Sequence, residues 1–176
     1  MPNSLIRLIV WMSLMSLGIS PVSAGSPTTV NPSMSGIVGS AFPSLQIRDQ
    51  HDTPITLPSA TSVIVFTDTK AVDEWADPVL TALGQQQMST DHLVYLSDIH
   101  RMPWLISKMI ALPALRERPY SVALIREAPE SPVLAEPEKG CLSWIQLQSG
   151  KVVSLTPVCT PTDLKARLDA LSVRNK

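Results

Sequence analysis

Cysteine is scarce in this chain of 176 residues: there are two, Cys141 and Cys159, and neither lies at short spacing from another Cys or from a His. A structural zinc site needs several such ligands at close intervals, so no metal is expected, and His51, His92 and His100 read as solitary surface residues. The G-x-S-x-G, Walker and dinucleotide-type glycine patterns are also missing, so no cofactor is expected and no catalytic constellation stands out. An excess of one charge is lacking too. The formal net charge is −1 and Lys and Arg do not cluster, which excludes the electrostatic footprint of a nucleic-acid binder. Nor does any apolar run reach the roughly 20 residues that a spanning helix requires.

What is present begins at the N-terminus. One basic residue, Arg7, precedes the apolar stretch from Leu8 to Ile19, and Val22-Ser23-Ala24 follows it. These are the three regions of a secretory signal peptide, expected over residues 1–24 with cleavage after Ala24. No Cys lies near that site, so no lipid anchor is implied, and no stable membrane anchor is expected once the signal is removed. The mature chain is then expected in the periplasm or secreted, where an oxidising medium permits a disulfide. Gly25 to Gly39 is rich in Ser, Pro, Thr and Gly and reads as a flexible linker. Residues 40–176 have the size of a single domain with its own core.

Within that domain Leu45 to Asp49 alternates in polarity, and Ile55-Thr56-Leu57 returns after a polar turn, as in a short edge hairpin. Ser62 to Phe66 is a continuous β-branched run, the mark of a strand covered on both faces. Ala71, Val72, Trp75, Val79, Leu80 and Leu83 recur at helical spacing, predicting a helix over 69–86, with a break at Pro78 and an end near Gly84. Leu93 to Leu96 predicts a second buried strand, stopped by Ser97-Asp98. A helix apolar nearly all round then runs from Pro103 to Leu112, where Pro113 ends it; its composition predicts a core element. If part of it were exposed, Met102, Trp104 and Met109 would make a protein-contact patch. Tyr120 to Ile125 predicts a third strand and Ala128 to Gly140 an acidic, Pro-rich loop. Cys141 to Leu147 and Val152 to Val158 predict a hairpin. Thr160-Pro161-Thr162-Asp163 carries the cap, first-turn proline and acid that open a last helix. The order of elements predicts an α/β fold with a mixed sheet flanked by helices.

With these elements in place, Phe42 to Asp49 followed by Ser62 to Phe66, and Ile145 to Val153 followed by Asp163 to Leu168, resemble the thioredoxin-like superfamily, in particular its exported peroxiredoxin-like branch and the periplasmic YtfJ-type proteins. The resemblance covers nearly the whole mature domain and implies a thioredoxin-like sheet closed by a C-terminal hairpin and helix. In that superfamily the nucleophilic Cys follows the first core strand, at the start of the next helix. Here the segment reads Thr67-Asp68-Thr69-Lys70, with Asp68 or Thr69 able to cap the helix and no sulfur present. The family's dithiol chemistry therefore does not carry over. Its cis-proline is also missing from the matching position, which reads Gly140-Cys141-Leu142; Arg118-Pro119 is the other place where a cis bond could sit.

The two cysteines admit two readings. If the hairpin loop is Ser149 to Lys151, Leu147 meets Val153, Ile145 meets Leu155 and Cys141 meets Cys159, close enough for a structural disulfide. If Gly150 is the third loop residue, the register moves by two and the cysteines lie diagonally, about 7–8 Å apart. The functional alternative makes Cys159, just before the Thr160 cap, an active thiol with Cys141 as its resolving partner, in a thiol-disulfide oxidoreductase or peroxidase. Thr156 to Thr160 is similar to a peroxidatic segment, but it follows the last strand rather than the first, and Val152 stands where the upstream proline would be. Asp73 with Glu74, and Glu136 with Glu138, are weak acid–base pairs, because adjacent helical residues diverge and charged loops are usually solvated. Asp98, His100 and Arg101 sit where a strand ends, the usual place for a ligand in an open α/β sheet. The expected ligand or partner face is Asp68, Thr69, Asp98, His100, Arg101, Met102 and Trp104. The expected function is a non-catalytic, exported protein-binding or envelope accessory domain whose partner is an envelope protein or peptide.

Overall fold

The computed structural model describes residues 37–128, 131–134 and 136–174. The expected signal peptide and residues 25–36 of the expected linker lie outside them. At the linker's end Ile37 is buried, the Gly39 N–H donates to the Val152 carbonyl at 2.7 Å, and the Phe42 N–H donates to the Gly150 carbonyl at 2.9 Å.

Seven strands form one mixed sheet: β1 (Leu45–Asp49), β2 (Pro54–Leu57), β3 (Val63–Thr67), β4 (Leu93–Asp98), β5 (Val122–Ile125), β6 (Leu142–Gln148) and β7 (Lys151–Val158). Their spatial order is β2-β1-β5-β4-β3-β6-β7, with β3, β4 and β5 parallel and the remaining pairs antiparallel. The continuous apolar run in β3 is explained by its central place, since all five of its residues are buried. Helix α1 (Lys70–Thr90) crosses from β3 to β4. Short helices α2 (Trp104–Ile106) and α3 (Leu112–Arg116), joined through a π-helical turn Ser107–Ala111, cross from β4 to β5. Both crossovers step the same way across the sheet, so right-handed connections put these helices on one face. Helix α4 (Pro161–Arg174) joins them, and Val72, Leu80, Leu115, Leu164 and Leu168 pack on Val65, Tyr95 and Trp144. The opposite face, bearing Ile64, Phe66 and Ile145, is covered by Ile37, Phe42, Val133 and Leu134.

Local departures from expectation have identifiable causes. Helix α1 runs through Pro78 and breaks instead at Gly84 (φ 77°, ψ 159°), a conformation that only glycine takes readily, before resuming to Thr90. The break aims the Gln85 Oε1 at the Ser121 N–H, 2.7 Å away, and returns Met88 to the core. Pro113 does not end its helix, because the π turn before it absorbs the mismatch that a proline ring imposes and the segment continues to Arg116. Strand β4 extends through Asp98, whereas Tyr120 and Ser121 precede β5. Among the described residues the cis bond is Leu57–Pro58, and Arg118–Pro119 is not cis.

The closing hairpin corrects the expected turn. Its loop is two residues, Ser149 and Gly150, both at positive φ (51° and 74°), so Gln148 pairs with Lys151 and Leu147 with Val152, not Val153. A bulge next to Gln146/Leu147 then adds one residue on β7, after which Gln146 meets Ser154 and Ile145 meets Leu155. The turn alone would misalign the cysteines by one residue; the bulge restores the register that sets Cys141 level with Cys159. They form a disulfide, with Cα atoms 4.0 Å apart. Thr160 Oγ1 caps α4 as expected, accepting from the Asp163 N–H at 3.1 Å.

Candidate functional site

The parallel strands end together, and the chemistry-bearing side chains gather at those ends. Asp68 follows β3, Asp98 closes β4, and His100 and Arg101 lie in the turn beyond it. Phe66, Asp68, Asp98, His100, Arg101 and Glu136 line a cleft of ≈ 230 Å³. Across it Arg101 pairs with Glu136 at 3.4 Å, so a glutamate of the acidic loop is fixed opposite the β4 turn. The Asp98 side chain is 6% exposed, and its Oδ1 accepts from the His100 backbone N–H at 2.9 Å and lies 2.6 Å from His100 Nδ1. With Asp98 ionised the shared hydrogen belongs to His100 Nδ1. His100 is thus a partnered histidine, not the solitary one expected, because the β4 turn folds its ring back onto a carboxylate two residues earlier. His51 and His92 are exposed.

Asp68 differs from its neighbours in having no cation at salt-bridge distance among the described residues. Burial, followed by the nearby charge of Glu136, raises its pKa above the ordinary 3.8. The side-chain cap expected of Asp68 or Thr69 is not made: Thr69 holds the N-cap position without a side-chain bond, and its N–H donates to Thr67 Oγ1 at 3.4 Å.

A second cleft of ≈ 310 Å³ opens beside the first, between the start of α1 and the α2–α3 segment. Asp68, Thr69, Glu74 and Asp98 form one wall, and Met102, Ile106, Ile110 and Leu115 form the other. The structure thus places Thr69 and Met102 with Asp68 and Asp98 in this second cleft, and His100 and Arg101 with the same two acids in the first. The backbone of Trp104 opens α2. That segment is not the core element its composition predicts, since Leu105, Ile106, Met109 and Ile110 are 57%, 45%, 67% and 64% exposed. Only Leu115, beyond the π turn, is fully buried within 105–116; the turn shifts the helix phase and leaves the upstream apolar residues outside.

Both cysteines lie at the same end of the sheet. The β3–β6 register pairs Phe66 with Ser143, and Asp68 and Cys141 each lie two residues beyond that pair, past the ends of β3 and β6. Cys141 is buried and Cys159 is exposed. Where the expected fold would carry a nucleophile, this chain has a carboxylate, and its sulfurs are bonded to each other one strand away.

Sequence reasoning missed a charge network behind this end. Asp73 accepts from the Tyr95 hydroxyl at 2.6 Å and from both terminal nitrogens of Arg118, at 2.9 and 2.5 Å. Arg118 Nε lies 3.0 Å from Asp77, which also accepts from the Tyr120 hydroxyl at 2.6 Å. Burial opposes the Arg118 cation, but the bonds and charge of Asp73 outweigh it and raise its pKa; burial and then Asp73 push Tyr95 well above 10.0. Asp73 is thus a structural anchor rather than an acid–base partner of Glu74, which pairs with Lys70 at 3.3 Å on the surface. The i, i+4 spacing of Asp73 and Asp77 was the available signal; the arginine 45 residues away was not. Gln50 was missed as well: fully buried, it accepts from the Val122 N–H and donates to the Tyr120 carbonyl, both at 2.7 Å, and so closes the start of β5.

Neither a family model nor a curated protein sequence matches the chain. Solved structures do. The thioredoxin domain of a thiol-disulfide oxidoreductase from Bacteroides vulgatus aligns with TM-score 0.51 and 12% identity, over 77% of this chain and 97% of its own. A protein provisionally assigned as thiol:disulfide interchange protein DsbE from Chlorobium tepidum aligns with TM-score 0.52 and 12% identity, over 78% and 96%. A thioredoxin-like protein from Porphyromonas gingivalis aligns with TM-score 0.50 and 11% identity, over 77% and 94%. The fold is thioredoxin-like.

Proposed function

We propose that this thioredoxin-like chain is an exported protein that binds a protein or peptide of the envelope and does not itself exchange disulfides. One observation carries the reading: at the end of β3, where thioredoxin-like oxidoreductases need a thiolate on the first turn of the next helix, the chain has Asp68-Thr69-Lys70. A carboxylate cannot attack a disulfide and leave again as a thiol does. His100 is engaged by Asp98 and, among the described residues, makes no hydrogen bond to a hydroxyl or thiol that it could activate. What this end of the sheet does offer is contact surface, namely a half-buried acid, an Asp–His pair and an apolar wall. Export rests on residues 1–24, and the disulfide is of the kind that persists in an oxidising compartment.

The test is catalytic disulfide reduction of insulin by the purified chain with dithiothreitol, beside Cys141→Ser and Cys159→Ser variants. The expected result is no acceleration over reductant alone. Turnover that disappears in Cys159→Ser would replace this reading with a thiol-disulfide oxidoreductase in which the exposed Cys159, reduced by dithiothreitol, attacks the substrate disulfide and Cys141 resolves the mixed disulfide. Fractionation of the native host, with the chain recovered outside the cytoplasm and beginning at Gly25, tests export.

A further inference from the structure

Three arginines from separate elements converge on one aspartate. Asp52, in the turn between β1 and β2, has its carboxylate 3.0 Å from Arg126 Nη2 and 3.5 Å from Arg116 Nη2, and its backbone carbonyl accepts from Arg48 Nη1 at 2.6 Å. Arg48 lies on β1, Arg116 ends α3 and Arg126 follows β5, so the fold assembles the cluster. Arg116 and Arg126 share a single carboxylate, which leaves them one positive charge in excess. The next acid, Asp49, is directed elsewhere: its Oδ1 accepts from the N–H groups of His51 and Thr53, both at 2.8 Å, and its Oδ2 from the Ser121 hydroxyl at 3.3 Å.

The donors of the two arginines are not used up either. A guanidinium carries its N–H groups on three nitrogens. Arg116 spends Nε on the Gln50 carbonyl at 2.9 Å and Nη2 on Asp52, while Arg126 spends Nη2 on Asp52 and on the Asp49 carbonyl at 3.4 Å. Among the described residues Nη1 of Arg116, and Nε and Nη1 of Arg126, have no acceptor. With their side chains 49% and 41% exposed, an anion arriving from solvent reaches both. They border a cleft of ≈ 670 Å³, larger than the two described above, whose lining also includes Ile99 and Met102 from the turn after β4 and Leu112 from α3. Small-molecule sites enclose roughly 300–1,000 Å³ and combine apolar lining with a few convergent polar groups.

We propose that this cleft binds a small organic anion, its carboxylate or phosphate taken by Arg116 and Arg126 beside Asp52 and its apolar body lying against Ile99, Met102 and Leu112. The planar guanidinium fork suits such oxyanions, which accept two parallel N–H bonds from it. Asp52 holds the two forks in position before a ligand arrives and also competes with it for their charge. The disulfide and Asp68 take no part, so this site stands or fails apart from the reading of the chain as a non-catalytic binder.

Isothermal titration calorimetry of the processed chain at low salt tests the proposal, with octanoate and octyl phosphate as probes beside 1-octanol and inorganic phosphate. The expected result is one site per chain for the two amphiphilic anions, none for 1-octanol, and roughly tenfold weaker binding or less for inorganic phosphate, which has no apolar body. Arg126→Gln weakens octyl phosphate binding roughly tenfold or more. Asp52→Asn strengthens it several-fold, because it removes the competing charge while Asn accepts the φ of 64° at that position; a merely structural role for Asp52 would not move affinity in that direction. Lys165→Gln, which removes an exposed cation from α4, changes nothing, and a thermal melt verifies that each variant is folded. Capture on phosphatidylglycerol but not phosphatidylcholine vesicles, lost in Arg126→Gln, supports the site with a lipid headgroup as the source of the anion; binding of the free probes without vesicle capture supports it with a soluble ligand. Neither anion binding, 1-octanol binding as well as they do, indifference to Arg126→Gln, or weaker binding in Asp52→Asn overturns the proposal.

Discussion

Replacing Arg118 by Leu should cost this domain about 3 kcal/mol, a large share of what a domain of this size has to lose. The guanidinium gives Asp73 two of its three hydrogen bonds, lies 3.0 Å from Asp77 and stacks 5.8 Å from the centre of the Tyr120 ring. The Arg118 and Asp73 side chains are only 13% and 15% exposed, so water replaces little of what is lost. Hydrogen bonds to charged groups are worth roughly 1.5–3 kcal/mol each, and stranding a buried carboxylate costs roughly 3–5 kcal/mol. The lower part of that range is expected here because the Tyr95 hydroxyl remains on Asp73. Urea unfolding followed by far-UV circular dichroism reads the effect: with a slope of about 1.5 kcal/mol per molar, the midpoint falls by about 2 M. Asp73→Asn in the Arg118→Leu background should recover most of the loss, because it removes the stranded charge, giving a coupling energy of about 2 kcal/mol in the double-mutant cycle. A cost below about 1 kcal/mol, or strictly additive single effects, would show that solvent screens this network and that it is not the anchor of α1 described above.

Three further outcomes follow from the same geometry. Cys159→Ser should cost about 3 kcal/mol, from the loop entropy of a crosslink spanning 18 residues, and dithiothreitol should destabilise the parent by the same amount while leaving the variant unchanged in denaturant titrations. Gly84→Ala should destabilise by about 1–3 kcal/mol although alanine is the better helix former; no atom lies within 4 Å of the added methyl, so the cost is backbone strain at φ 77°, visible in thermal melts. The native state holds the Asp68 proton more tightly than the unfolded chain, so this group subtracts stability as pH rises from 3.8 through its raised pKa. Asp68→Asn should therefore raise the melting temperature relative to the parent at neutral pH, with the difference vanishing below pH 3.8; a constant difference across pH would remove Asp68 as its source.

The elements that could be read from the chain are those decided by short-range pattern. The β-branched run of β3 marks a covered strand wherever it is placed, and Thr160-Pro161-Thr162-Asp163 caps a helix through bonds only three residues long. The position without sulfur after β3 was legible for the same reason, and so were Asp98, His100 and Arg101 as a strand-end group. The Asp98–His100 bond was less so, because it depends on the path of the turn.

What the linear chain determined, then, was the order of strands and helices, the mixed sheet and the missing thiol, since each follows from residue types within a few positions of one another. The tertiary structure decided the rest. A bulge on β7, visible only once β6 lies beside it, brought Cys141 level with Cys159 after a two-residue turn. Composition could not show that Leu105, Ile106, Met109 and Ile110 face outward, because an apolar helix reads alike whichever side the sheet takes, and the π turn chose that side. Arg118 meets Asp73 and Asp77 because α3, just before it, and α1 lie on the same face of the sheet, and that proximity is a property of the fold rather than of any stretch of sequence.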